Sequence, residues 1–180
     1  MKHLVEWEYL KTIADSDDRK TIIADLMTSY GNDVWNYAFS LTRKRDLADD
    51  ITQDVFLKAY RGLFTLRKDG SVKAWLLTIT RNTAADYRRS AFFRKVTLRD
   101  TIETENAECS AEDEALNKLA LSAIWEKVLQ LPPKDREVLI LFGHHQLSMK
   151  EIAALLNISE GAVKSRLFHA RAKITKQKEG

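Results

Sequence analysis

Apolar positions along this chain recur at helical spacing almost throughout. The clearest case runs from Leu147 to Arg171, LSMKEIAALLNISEGAVKSRLFHAR. Met149, Ile152, Ala153 and Leu156 fall at i, i+3, i+4 and i+7, which predicts a short helix buried along one stripe, with Ser148 as N-cap and Glu151 completing a capping box. Asn157 and Ser159 interrupt it. From Glu160, capped by Ser159, a second helix places Val163, Leu167, Ala170 and Ile174 on one face.

The rest of the chain repeats the pattern. Residues 1–19 add one short helix at most. Ile22, Ile23, Leu26, Met27 and Tyr30 form a stripe that Gly31 and Asn32 are expected to stop. A helix from Asp33 then buries Val34, Tyr37, Ala38 and Leu41, and Asp46 is expected to cap the next, DLADDITQDVFLKAYRGL, with Ala48, Ile51, Val55 and Ala59 inward. WLLTITRNTAADYRRSAFFRK reads as a helix with Trp75, Ile79 and Thr83 near one side. Residues 94–114 keep no period. Beyond them, Leu116 to Val128 carries a stripe ending at Leu131-Pro132-Pro133, and Lys134 to Phe142 forms a helix that Gly143 stops. The expectation is an all-α protein of two small helical domains, residues 1–93 and 115–180, joined by a flexible acidic linker, 94–114.

Composition supports that class and narrows the chemistry. Six Gly and two Pro among 180 residues argue against a turn-rich β architecture. The single Cys109 cannot form an internal disulfide or a cysteine-based zinc site, so a reducing compartment is expected. MKHLVEWEYL has no signal-peptide core, and no run reaches the roughly 18 apolar residues of a membrane span, so cytoplasmic residence without membrane insertion is expected. The four histidines lack metal-ligand spacing, and no phosphate-binding loop or nucleophile elbow occurs. Neither metal, cofactor nor enzymatic activity is therefore expected.

A net charge of +3 decides little, but its distribution is uneven. Arg81, Arg88, Arg89, Arg94, Lys95 and Arg99 form one basic cluster, and residues 164–178 hold cations without a carboxylate. Between them, Asp100 to Glu114 holds seven carboxylates and no cation. Two anion-binding surfaces joined by a segment that avoids anions fit this layout. At roughly 100° per residue, the outer face of the last helix presents Ser165, Phe168, His169 and Ala172, flanked by Lys164 and Lys173, with Arg166 and Arg171 nearer its edges. Small, polar and basic groups on the second helix of a helix-turn-helix suit a DNA major groove. A solvated basic helix accounts for the charge alone, and the capped helix before it favours DNA.

Two faces of the first domain remain. Asp50, Gln53, Asp54 and Leu57 share one side of their helix, with Asp49, Phe56 and Tyr60 beside it. Carboxylates, an amide and large apolar groups suit a protein-docking surface, and an ordinary solvated acidic face fits the spacing equally well. Trp75 to Arg89 mixes cations, an amide and aromatics, as single-stranded DNA binding requires. A core helix with a basic end is the alternative.

On these stretches the chain resembles bacterial RNA polymerase sigma factors of the extracytoplasmic-function group. DLADDITQDVFLKAY is similar to the family's core-polymerase-binding helix, WLLTITRNTAADYRR to its minus-10 promoter helix, and LPPKDREVLILFGHHQLSMKEIAALLNISEGAVKSRLFHARAKI to its minus-35 reading domain. The resemblance implies that Asp50, Gln53, Asp54 and Phe56 contact core polymerase. It places Asn82, Asp86, Arg88 and Arg89 on the minus-10 element, and residues 64–73 in a loop that captures an unstacked base. Lys164, Ser165, Arg166, Phe168, His169 and Arg171 match recognition-helix positions on the minus-35 element. His169 stands where members often carry arginine, which removes a bidentate guanine contact or a phosphate contact. Implied partners are core RNA polymerase, promoter DNA as duplex and melted strand, and an anti-sigma factor. The rival is a free-standing helix-turn-helix regulator whose N-terminal domain senses a ligand or dimerises. It leaves the Asp50–Leu57 and Trp75–Arg89 faces without a purpose.

Overall fold

The computed structural model describes residues 19–63, 71–97 and 123–176. The N-terminal 18 residues, residues 64–70 of the loop at 64–73, residues 98–122 with the acidic run, Cys109 and the first half of the Leu116–Val128 stripe, and residues 177–180 lie outside the described residues. Those described form seven helices and no strand: α1 (Arg19–Thr42), α2 (Arg45–Gly62), α3 (Val72–Thr97), α4 (Ala123–Gln130), α5 (Pro133–Gly143), α6 (Met149–Leu156) and α7 (Glu160–Lys176). None is long and apolar enough to cross a membrane.

Three local expectations change. Gly31 does not end a helix, because α1 continues through it for 24 residues. Glycine costs a helix interior about 1 kcal/mol against alanine, but Tyr30 and Val34 on either side are buried, and tertiary packing overrides the local preference. The chain turns instead at Arg43, whose φ of 58° ends α1 while its amide donates to Phe39 O at 2.7 Å. Asp46 does not cap α2. Lys44 holds the N-cap position without a side-chain bond, and Asp46 lies in the first turn, where its charge meets the positive end of the helix dipole. Finally, α3 runs to Thr97, past the expected start of the linker at 94.

The predicted stripes build two cores. Ile22, Leu26 and Val34 of α1, Ala48, Ile51, Val55 and Ala59 of α2, and Val72, Leu76 and Ala84 of α3 are buried together in the first. In the second, Val138 and Leu141 of α5, Ile152, Leu155 and Leu156 of α6, and Val163 and Leu167 of α7 pack together. The turn between α6 and α7 is made as its sequence dictates. Ser148 Oγ accepts from Glu151 N at 3.2 Å, and Ser148 N donates to Glu151 Oε2 at 2.8 Å, so the capping box is complete. Asn157 ends α6 at φ 54°, a left-handed position that asparagine tolerates, and Ser159 Oγ then accepts from Ala162 N at 3.1 Å to start α7. Removing that cap by Ser148→Ala is expected to lower stability by about 1 kcal/mol. An unchanged denaturant midpoint would show that the box contributes nothing.

The two cores meet. Tyr37 of α1 and Leu77 of α3 are fully buried, and both belong to the second core. Tyr37 Oη donates to Glu137 Oε1 at 2.9 Å, and Arg81 Nε donates to the same oxygen at 2.9 Å. Arg81, expected on the outer basic surface, is thus committed to the seam between domains. Burial first, and then the Glu137 carboxylate, push the Tyr37 hydroxyl well above the usual phenol range, so it stays protonated and donates.

Candidate functional site

Three outward surfaces carry the residues singled out by sequence. On α2, Asp50 and Gln53 are exposed, as expected for a docking face, but Phe56 is not. It is only 3% exposed and packs in the first core, whereas Leu57 is 56% and Tyr60 37% exposed. The reason is the helical period. Phe56 lies three positions before Ala59 and eight after Ala48, both buried, and so at the edge of the inward arc, while Leu57 and Tyr60 continue the Asp50–Gln53 row at offsets of seven and ten. Asp54 occupies the margin. Its Oδ2 accepts from Tyr87 Oη at 2.8 Å, and this bond, with burial second, raises the phenol to about 12. Asp54 therefore ties α2 to α3 as well as facing outward. Trp35 Nε1 donates to Asp49 at 2.7 Å and anchors the α1 side of the same surface.

On α3, Asn82, Arg88 and Arg89 are exposed. Asp86 lies between Arg89, with which it pairs closely, and Lys58 Nζ at 3.4 Å. The Arg89 hydrogen bond is the largest influence and, helped by Lys58, holds the Asp86 carboxyl below its ordinary range. Lys58 Nζ also donates to Thr83 Oγ1 at 3.0 Å. The expected minus-10 residues are thus brought onto one helix, but Asp86 and Arg89 satisfy one another in the free chain. Lys58 was not singled out by sequence; its position on α2 gave no signal that it would reach across to α3.

The third surface is α7. Lys164, Ser165, His169 and Arg171 are exposed, Phe168 is 71% exposed, and Arg166 is half-buried at the margin. The outer face follows because Val163, Leu167 and Ala170 fill the inward side. Phe168 and His169 meet edge to face with centroids 5.9 Å apart. The Arg171 guanidinium lies 5.4 Å from the centroid of the Phe142 ring, which props it at the edge of this face. Phe168 therefore stands exposed on a face whose long polar side chains are cationic. Although the domains pack together, this face and the Arg88–Arg89 end of α3 remain open.

The seam itself holds a further polar group. His145, in the α5–α6 connection, is 1% exposed, with Nδ1 3.4 Å from Asp33 Oδ1, while Lys73 Nζ lies 3.2 Å from Asp33 Oδ2. Burial dominates at His145 and lowers its pKa despite Asp33, leaving the imidazole neutral. At Asp33 burial works to raise the pKa, and the contacts with His145 and Lys73 outweigh it, bringing the carboxyl to about 2.

Two family models match parts of the chain. The model described as Sigma-70 region 2 matches residues 26–92, and that described as Sigma-70, region 4 matches residues 121–174. The chain is 33% identical over 147 residues to the ECF RNA polymerase sigma factor BldN of Streptomyces coelicolor, a match spanning 81% of this chain and 56% of that protein. It is 30% identical over 152 residues to the ECF RNA polymerase sigma factor SigM of Bacillus subtilis, spanning 84% of this chain and 92% of that one. Among solved structures, the complex of the sigma factor RpoE with the anti-sigma factor NepR from Bartonella quintana superposes with a TM-score of 0.65 at 25% identity, covering 87% of this chain and 96% of the other. CnrH in complex with the cytosolic domain of CnrY shares the fold at a TM-score of 0.67 and 24% identity, with 94% of each chain covered.

Proposed function

Because the chain belongs to the sigma-70 family of RNA polymerase sigma factors, in its extracytoplasmic-function group, we propose that it directs promoter-specific initiation by binding core RNA polymerase and presenting two DNA-contacting domains. The observation that carries this reading is the open α7 face on a fully capped helix-turn-helix, in the same chain as a separate acidic and apolar face on α2.

The parts divide the work. The row of Asp50, Gln53, Leu57 and Tyr60, with Asp54 at its margin, docks on core polymerase, charge selecting the partner and the two apolar groups supplying the buried centre. Lys164, Ser165, Arg166, Phe168, His169 and Arg171 read the minus-35 duplex, long cations on phosphates fixing register and shorter groups reaching base edges. Asn82, Asp86, Arg88 and Arg89 meet the minus-10 element as the strand melts; Arg89 is freed when DNA phosphate replaces Asp86. The chain itself forms and breaks no covalent bond. It acts in the cytoplasm, where the polymerase is, and an anti-sigma factor is the expected inhibitor, by analogy with the sigma factor bound to NepR.

Initiation uses both DNA surfaces on one promoter, and the proposal includes opening of the seam once polymerase is bound. Its composition permits this. Glu137, Arg81, Asp33 and Lys73 each regain water on separation, as in the polar interfaces of mobile domains. The test is a reconstitution of the purified chain with core polymerase and a promoter pool, followed by mapping of transcript starts. Discrete starts that require the chain are expected. Duplex binding without any gain in polymerase-dependent starts would favour the free-standing regulator, a reading that the match of residues 26–92 to region 2 does not favour.

A further inference from the structure

The seam brings three metal-binding side chains together from two domains: Asp33 of α1, and His144 and His145 of the α5–α6 connection, with one ligand atom of each within 4.8 Å of the others. His145 is the telling member. Its side chain is fully buried, and neither ring nitrogen has a hydrogen-bond partner among the described residues. The nearest acceptor, Asp33 Oδ1 at 3.4 Å, is at ion-pair distance without hydrogen-bond alignment. A buried imidazole with both nitrogens unsatisfied is costly, and native structures rarely keep one without a ligand or role.

We propose that Asp33, His144 and His145 bind a single Zn2+-class transition-metal ion that bridges the two domains and holds them closed. Two imidazoles and one carboxylate are the donor set of borderline ions such as Zn2+ and Co2+, whereas Mg2+ and Ca2+ prefer oxygen alone. Three protein ligands leave a fourth position for water on the exposed His144 side. Ligand atoms around such an ion stand roughly 3.3 Å apart, so His144 must turn inward. It is the exposed member, and it is already steered, with its ring 4.8 Å from that of His145 and its Nε2 3.4 Å from Asn36 Nδ2. Lys73 engages only Oδ2 of Asp33, which leaves Oδ1 facing His145 for the ion. Its ammonium repels a dication, but the side chain is 23% exposed and can swing toward solvent.

The site was passed over in the sequence because adjacent histidines lack any ligand spacing, and Asp33 lies over a hundred positions away.

The proposal is tested on the full chain with Co2+ as optical probe and Zn2+ as competitor. One equivalent of Co2+ is expected to give the intense visible absorption of a four-coordinate ion, displaced by Zn2+, and Zn2+ is expected to raise the thermal midpoint. His144→Ala, at an exposed position of the second domain, and Asp33→Asn, nearly isosteric in the first, are each expected to weaken Co2+ binding by more than about tenfold. Circular dichroism checks that both remain folded. Only pale octahedral Co2+ absorption, or a four-coordinate spectrum unchanged in both variants, overturns the site. Loss in His144→Ala with full retention in Asp33→Asn overturns the bridge, because the ion would then belong to one domain. None of these readouts requires polymerase or DNA, so they stand apart from the promoter assignment.

Discussion

Phe56→Ala is expected to destabilise the first domain severely rather than to remove a polymerase contact. Phe56 is 3% exposed beside Ile51, Val55 and Ala59, and truncating such a ring costs about 3–5 kcal/mol through lost burial and the cavity left behind. Against a total of roughly 5–15 kcal/mol for a domain, that is a large fraction. Leu57→Ala, one position along, is expected to do the reverse. At 56% exposure it contributes little to the fold, so unfolding should shift by no more than about 0.5 kcal/mol. If Leu57 is an apolar anchor of the polymerase interface, its loss should weaken binding by about 2 kcal/mol or more. Denaturant unfolding and competition for core polymerase, measured on both variants, separate these outcomes. A normal midpoint for Phe56→Ala, or full polymerase affinity for Leu57→Ala, would invert the assignment of the α2 faces. Asp54→Ala is a poorer probe, since it also breaks the bond from Tyr87.

That exchange of Phe56 for Leu57 shows where the sequence was legible and where it was not. Periodicity placed Ala48, Ile51, Val55 and Ala59 inward without error, because a stripe needs only a helix and one apolar side. It could not place a residue at the stripe's edge, where a rotation of one position decides between core and solvent. The caps of α6 and α7 were readable from Ser148, Glu151 and Ser159 because their bonds reach only three residues. Gly31 misled for the opposite reason: its local cost is small, and the partners that overrule it come from other helices.

The seam was the least legible part. Tyr37 and Arg81 meeting Glu137, and His145 meeting Asp33, join positions 56 to 112 residues apart, and no spacing rule reaches that far. The two-domain reading expected a tether holding apart surfaces that engage separate stretches of DNA. The domains touch through other faces, using Leu77 and Arg81 of α3 against α5 and α6, and leave the outer side of α7 open. Docking of the domains and access to DNA are thus compatible at the upstream element.

The open side of α7 sets the second large effect. Arg166→Ala is expected to weaken binding to minus-35 duplex by about 1–3 kcal/mol, the range for one bidentate base contact, with the loss concentrated in discrimination between the correct element and its mismatches. Arg166 is partly buried next to the fully inward Leu167, at the margin of the exposed face. Lys164→Ala provides the contrast. An exposed ammonium reaching phosphate should weaken all duplexes nearly equally and reduce the salt dependence of binding by about one phosphate contact. Affinity for core polymerase should be unchanged in both, because α2 and α7 present separate surfaces. Titrations at two salt concentrations, on matched and mismatched duplexes, read all three quantities. If Arg166→Ala kept the full preference for the matched duplex while Lys164→Ala lost it, the base-reading and phosphate-anchoring roles would have to be exchanged, and the reading edge of α7 would lie on the opposite flank of Phe168.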